Sequence, residues 1–147
     1  MKITQILSMV GLCVVASTGF ASVTADKLTD SEAVNFAVHE FADGADAQDT
    51  AKVAKVLHAE SMQYYMAPDG LKKIPQPVYL NLLKAKKVGG KPRTVKIHSV
   101  EVKGTIASAV ATFDGGVASF DNLISLIKIK DDWQILSVVL RFVPKKK

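Results

Sequence analysis

Residues 113–143 constrain the fold more than any other stretch of the chain. They read as two long strands joined by the acidic turn Lys130-Asp131-Asp132, with Trp133-Gln134-Ile135 opening the second strand. Asp114-Gly115-Gly116 makes the turn before them. A curved-sheet domain with a pocket ends in this way. In the first of these strands Leu123, Ile127 and Ile129 oppose Phe120, Ile124 and Leu126. In the second, strict alternation puts Ile135, Val139 and Val143 on one side and Leu136, Val138, Leu140 and Phe142 on the other. Antiparallel strands covered on one face alternate apolar with polar, whereas these are apolar on both. Helices can cover one face only, so a homodimer packed sheet to sheet is expected.

The first 25 residues have the form of a cleaved leader. Lys2 supplies the positive start, Ile6 to Val15 an apolar run, and cleavage is expected after Ala21 or Ala25. The run is too short for a membrane span, which needs about 20 residues. Cys13 is the only cysteine and follows Leu12 inside that run, which excludes a lipid anchor. The mature chain is expected to be periplasmic or secreted, without disulfides or a stable membrane anchor, and held by its core alone. The formal charge of +5 falls by one with the leader, and Lys145-Lys146-Lys147 supply most of the remainder. Residues 26–143 are read as one domain and 144–147 as a basic tail. The other cluster, Lys84, Lys86, Lys87, Lys91 and Arg93, lacks the interleaved aromatics that stack on bases. It reads as a solvated helix end and loop, and nucleic-acid binding is not expected.

Three helices precede the main strands. Thr29-x-x-Glu32 has the pattern of a capping box, and Ala33, Val34, Ala37, Val38 and Phe41 recur at helical spacing over 31–43. Asp43-Gly44 is expected to end that helix. A second helix is expected over 47–57, capped by Asp46 or Asp49. Residues 61–66 form a strand with Met62, Tyr64 and Met66 on one side, and Pro68-Asp69-Gly70 turns it into a short return strand over 71–74. Pro77 opens a third helix, ended by Gly89-Gly90, with Val78, Tyr79, Leu82 and Leu83 inward. Over 94–102 the apolar parity shifts at His98-Ser99, which predicts a bulge. The fold class is therefore α+β: helix, helix, hairpin, helix, then four antiparallel strands, with helices on one face of a curved sheet.

This order resembles the nuclear transport factor 2-like (cystatin-like cone) superfamily, whose α+β cone holds a pocket between helices and sheet. Residues 46–61 (DAQDTAKVAKVLHAES), Pro68-Asp69-Gly70 and residues 119–135 (SFDNLISLIKIKDDWQI) resemble its "putative lumazine-binding" branch. The superfamily hosts isomerases, dehydratases, ligand binders and assembly domains on one scaffold, so the resemblance implies a fold and leaves the activity open. Its catalytic members move protons with a carboxylate or a His–Asp pair.

Asp121 stands out as an acid within an apolar strand, where an unpaired carboxylate is costly. It reads either as a pocket-facing base with a raised pKa, or as a structural carboxylate paired with Arg141 across the hairpin. Of the three histidines, His39 falls opposite the apolar face of its helix. His58 reads as a helix C-terminal cap. His98, at the bulge, is the second catalytic candidate. Tyr64, Tyr79 and Phe113, with Asp121 and Arg141, are the ligand-contact candidates. No metal-ligand spacing, phosphate loop or nucleophile elbow occurs in the sequence, so no metal and no cofactor are expected. Three functions remain: an exported binder of a small apolar or aromatic molecule, a proton-transfer enzyme with Asp121 as base, and an association module whose cone is filled by its own side chains.

Overall fold

The computed structural model describes residues 27–146; the leader and its cleavage positions lie outside them. The first helix, α1 (Asp30–Asp46), begins with the capping box in place: Glu32 N donates to Thr29 Oγ1 at 3.3 Å and Thr29 N to Glu32 Oε2 at 2.8 Å. Val34, Ala37, Val38, Phe41, Ala42 and Ala45 form its buried stripe. The helix runs three residues past the expected stop at Asp43. Gly44 is there for packing: a Cβ on it would meet Val53 Cγ2 at 2.8 Å, so the missing side chain lets α2 (Thr50–Val56) cross close by. Asp49 caps α2 by accepting from Lys52 N.

The chain passes directly into β1 (Leu57–Ala67), and β2 (Gly70–Pro75) returns along it. Helix α3 (Gln76–Lys84) has Pro77 in its first turn and Leu83 fully buried, while Val78 is exposed. Four strands follow, β3 (Thr94–Lys103), β4 (Ile106–Asp114), β5 (Ala118–Ile129) and β6 (Asp132–Pro144). Lys145 is pinned beside them by an ion pair to Asp114 and a backbone bond to Val117 O.

The six strands make one sheet in the order β2-β1-β6-β5-β4-β3. It departs from the expected antiparallel sheet at one seam, because β1 and β6 run parallel. No turn sequence encodes that seam, since its partners are far apart in the chain. The bulge at His98 is present, between Ile97 and Ser99. A second bulge leaves Leu136 unpaired, because Ser125 pairs Ser137 while Leu126 pairs Ile135. It reverses the side chains before it, so Ile135 joins Val138, Leu140 and Phe142 on the helix side and Leu136 turns outward, against the alternation expected from sequence.

Helix α1 lies across the inner face of β3, β4 and β6, and α3 across β1. Ala107, Ala109 and Ala111 of β4 are buried, and their small side chains let α1 approach the sheet closely. The opposite face carries exposed Ile106, Val110, Leu123, Leu136 and Val139.

Candidate functional site

Between the helices and the wide end of the sheet lies a cavity of about 410 Å³. Its aromatic wall builds up from five elements. Phe41 of α1 meets Tyr79 of α3 and Phe113 of β4 at ring-centroid distances of 6.0 and 6.1 Å. Phe120 and Phe142, cross-strand neighbours on β5 and β6, meet edge to face at 5.5 Å and form the more open side. Burial pushes the Tyr79 hydroxyl up to about 12, an effect that Arg93 opposes and Asp46 reinforces. It stays protonated at neutral pH.

Polar groups enter this wall at few points. Gln63 of β1 is 5% exposed, and its Nε2 has no hydrogen-bond partner. Asn122 of β5 is buried and donates through Nδ2 to Phe120 O at 2.8 Å and Ala111 O at 3.4 Å. Arg93, between α3 and β3, donates from Nε to Asp46 Oδ1 at 2.6 Å and from its backbone N to Asp46 Oδ2 at 2.8 Å. Its guanidinium lies 5.1 Å from the Phe113 ring centre and 5.5 Å from that of Phe120. The Arg93 and Asp46 side chains are 16% and 12% exposed. Arg93 therefore leaves the solvated basic cluster to which its sequence neighbours Lys84, Lys86, Lys87 and Lys91, all exposed, belong.

The loop before Arg93 seals one end of the cavity. Gln48 Nε2 donates to Val88 O at 3.0 Å and Gly90 N to Ala45 O at 3.2 Å. Gly89 lines the cavity with φ at 69°.

The sequence candidates divide between the two faces of the sheet. Tyr79 and Phe113 line the cavity. Tyr64 does not: it pairs with Val139 on the outer face, and its neighbour Tyr65 takes the inward place. The alternation of β1 is real but opposite in phase to its hydrophobicity. Met62, Tyr64 and Met66 point outward, with Met66 74% exposed, while Ser61 and Gln63 are buried. Asp121, Arg141 and His98 also lie outside the cavity, on the outer face. His98 Nε2 is 2.8 Å from Thr112 Oγ1, which donates to Asp121 Oδ1 at 3.0 Å. Arg141 donates to Asp121 Oδ2 from Nη2 at 2.5 Å and Nε at 3.2 Å. This row crosses β3 to β6 and borders an open groove.

Arg141 first, and Thr112 second, hold the Asp121 carboxyl below its ordinary value. A cavity base with a raised pKa is thus replaced by a paired carboxylate facing away from the cavity. His39 is exposed, as its helical position predicts. His58 is not a helix cap, because α2 ends at Val56; its Nδ1 accepts from Glu60 N at 3.1 Å within β1. Among the described residues no group of three His, Cys, Asp or Glu side chains could hold a metal, and no helix is long and apolar enough to cross a membrane.

Asp30, Asp114 and Asp121 all have their carboxyls lowered from 3.8, and Glu32 from 4.5. A lowered folded value means that the unfolded chain binds the proton more tightly. The stabilisation is therefore complete above the ordinary values and lost as pH falls through the folded ones. The melting temperature is expected to drop on acidification below about pH 4.5, and Asp121→Asn to make that drop shallower. Thermal melts of both proteins from pH 6 to pH 2.5 check it; parallel curves would contradict the assignment.

The family model described as "Putative lumazine-binding" matches residues 29–141. Similar solved structures include a protein of unknown function from Silicibacter pomeroyi, called NTF-2 like, with TM-score 0.69 and 19% identity over 78% of this chain and 99% of that one. An ntf2-like protein of unknown function from Shewanella baltica has TM-score 0.70 and 17% identity over 81% and 100%. A protein of unknown function with a cystatin-like fold from Nostoc punctiforme has TM-score 0.66 and 13% identity over 81% and 96%. Among curated proteins, none matches the chain. The fold is common ground; the chemistry has to come from the residues themselves.

Proposed function

The chain belongs to the "putative lumazine-binding" family, on the nuclear transport factor 2-like fold, and from that premise we propose that it is an exported domain that binds one small, apolar or aromatic molecule in the inner cavity without transforming it. The observation that carries the reading is an unfilled cavity of about 410 Å³, walled by aromatic rings and holding a buried amide donor without a partner. Ligand sites have this form, mostly apolar with a few placed polar groups and about 300–1,000 Å³ in volume. Burial of the ligand against Phe41, Tyr79, Phe113 and Phe120 would supply affinity.

The alternatives fare less well. Among the described residues the cavity lining has no carboxylate and no histidine, so a proton-transfer enzyme would lack the base assigned to it. An association module with a filled cone disagrees with the open volume. Export rests on Lys2, the apolar run from Ile6 to Val15 and the small residues around Ala21 and Ala25.

Native mass spectrometry of the protein taken gently from its producing cells tests the binding reading. A reproducible extra mass on each subunit is expected, reduced when Phe120→Ala opens the wall; bare protein throughout would oppose it. For the outer face the proposal is a second copy of the chain. Val110, Leu123 and Val139 are cross-strand neighbours that make a contiguous exposed apolar row there, with Ile106 exposed on the same face. Sedimentation at micromolar concentration should give the dimer mass, and Leu123→Glu should give the monomer. A monomeric parent protein would end the idea.

A further inference from the structure

We propose that the open end of the cone docks on an anionic lipid surface, with the mouth of the cavity turned toward the lipid. Because β1 runs parallel to β6, both strands finish at one end of the sheet, where β2 and β5 start and β4 stops. Along that end, in strand order, stand Leu71, Met66 and Phe142, with Val117 in the turn between β4 and β5. All four are more than half exposed, and Met66 at 74% and Val117 at 71% are the most exposed large apolar side chains among the described residues. Apolar side chains gathered at the tips of strands and turns mark a contact surface. The cavity opens there too. Gly89, Arg93, Phe120 and Phe142 line both it and a recess of about 260 Å³ that runs on to Lys91 and Val117.

Charge says what the tips meet. The acids beside them, Asp69 and Asp114, are paired with Lys72 and Lys145. Lys86, Lys87 and Lys91 of the loop before β3, and Lys146 after β6, are exposed and have no ion pair among the described residues. Asp43 and Asp49, where α1 meets α2, are further exposed acids on this side, and both lie near the Lys52 ammonium. This end therefore joins an apolar row to unpaired cations. Two copies meeting there through a two-fold axis would set the lysines against themselves. A bilayer with anionic headgroups suits both parts: the headgroups take the lysines, and the acyl region beneath takes the apolar tips. Such contact is peripheral and reversible. With the mouth against lipid, an apolar occupant of the cavity, on the binding reading above, passes between bilayer and protein without crossing water.

Co-sedimentation of the protein with vesicles tests this, using phosphatidylcholine alone and phosphatidylcholine mixed equally with phosphatidylglycerol. Binding is expected to the mixed vesicles only, weaker at physiological than at low salt. Lys87→Gln and Lys91→Gln should each weaken it about fivefold. Val117→Asp, at an exposed turn where the melting temperature should hold, should weaken it about tenfold, the worth of burying one valine. Phe36→Asp is the control, because Phe36 is equally apolar and 56% exposed but lies beside Trp133 and Lys128, near the start of α1; it should bind as the parent does. Failure to bind the mixed vesicles, or equal binding to both kinds, would overturn the proposal. So would a loss in Phe36→Asp matching that in Val117→Asp. A dimer that Val117→Asp alone dissociates would assign the row to a second copy instead. Vesicle binding by a protein that carries no extra mass would remove the cavity reading and leave the docking surface; an occupied cavity without vesicle binding would do the reverse.

Discussion

Asp46→Ala is expected to lower stability by about 3 kcal/mol, the range for breaking a buried ion pair from one side, discounted for the little solvent that reaches it. Two bonds disappear, Arg93 N to Oδ2 and Arg93 Nε to Oδ1. The guanidinium is then left uncompensated between Phe113 and Phe120. The backbone bond matters as much as the charges, because it fixes the chain where it enters β3. Urea denaturation measures the loss. The double variant Asp46→Ala/Arg93→Met should recover part of it, since it removes the stranded charge together with its partner. Additive losses in the double variant would mean that the two residues act separately.

Gly89→Ala is expected to cost about 2 kcal/mol or more, from a strained backbone conformation combined with a steric clash. With φ at 69°, a Cβ here would approach Ala45 O to 2.0 Å, with Ala45 C and Leu83 Cδ2 at 3.0 Å. No side-chain rotation relieves a contact between Cβ and backbone, so the loop would lift from the end of α1 and loosen the bond from Gly90 N to Ala45 O. Gly104 provides the control. Its φ is 59° and nothing lies within 4 Å of its Cβ position, so Gly104→Ala should cost only about 1 kcal/mol, the backbone term alone. Urea unfolding of the two variants side by side tests this, and equal losses would show that the contact with α1 is unimportant. Because Gly89 also lines the cavity, its variant should bind cavity probes less well, whereas the Gly104 variant should not.

Local signals were legible in the sequence and tertiary ones were not. The capping box at Thr29 and Glu32, the parity shift at His98 and the terminal hairpin are written in residues a few positions apart, and each appears where expected. Gly44 misled because a glycine near a helix end resembles a stop signal, while here it admits a neighbouring helix. The phase of β1 misled because its more apolar side faces away from the helices. Hydrophobic alternation shows that two faces differ; which one is inward depends on neighbours elsewhere in the chain. Arg93 looked like one more surface cation because its partner, Asp46, lies on another element. Of the site, Tyr79 and Phe113 could be read in advance. Gln63 could have been, had a buried amide in an alternating strand been weighed as a lining residue.

The placing of β6 has a consequence for how the chain comes to be folded. The last of the six described strands to leave the ribosome pairs with β1 on one side and β5 on the other. Until it emerges, the β1–β2 hairpin has no sheet to join, and the earlier helices have only part of a surface to cover. Assembly is therefore deferred until β6 has been made, and it depends on contacts between distant parts of the chain, which form slowly. For a protein that we propose crosses a membrane behind its leader, that delay keeps the polypeptide threadable. It also makes β6 hard to dispense with, since a chain cut short before Asp132 would lose the middle of its sheet.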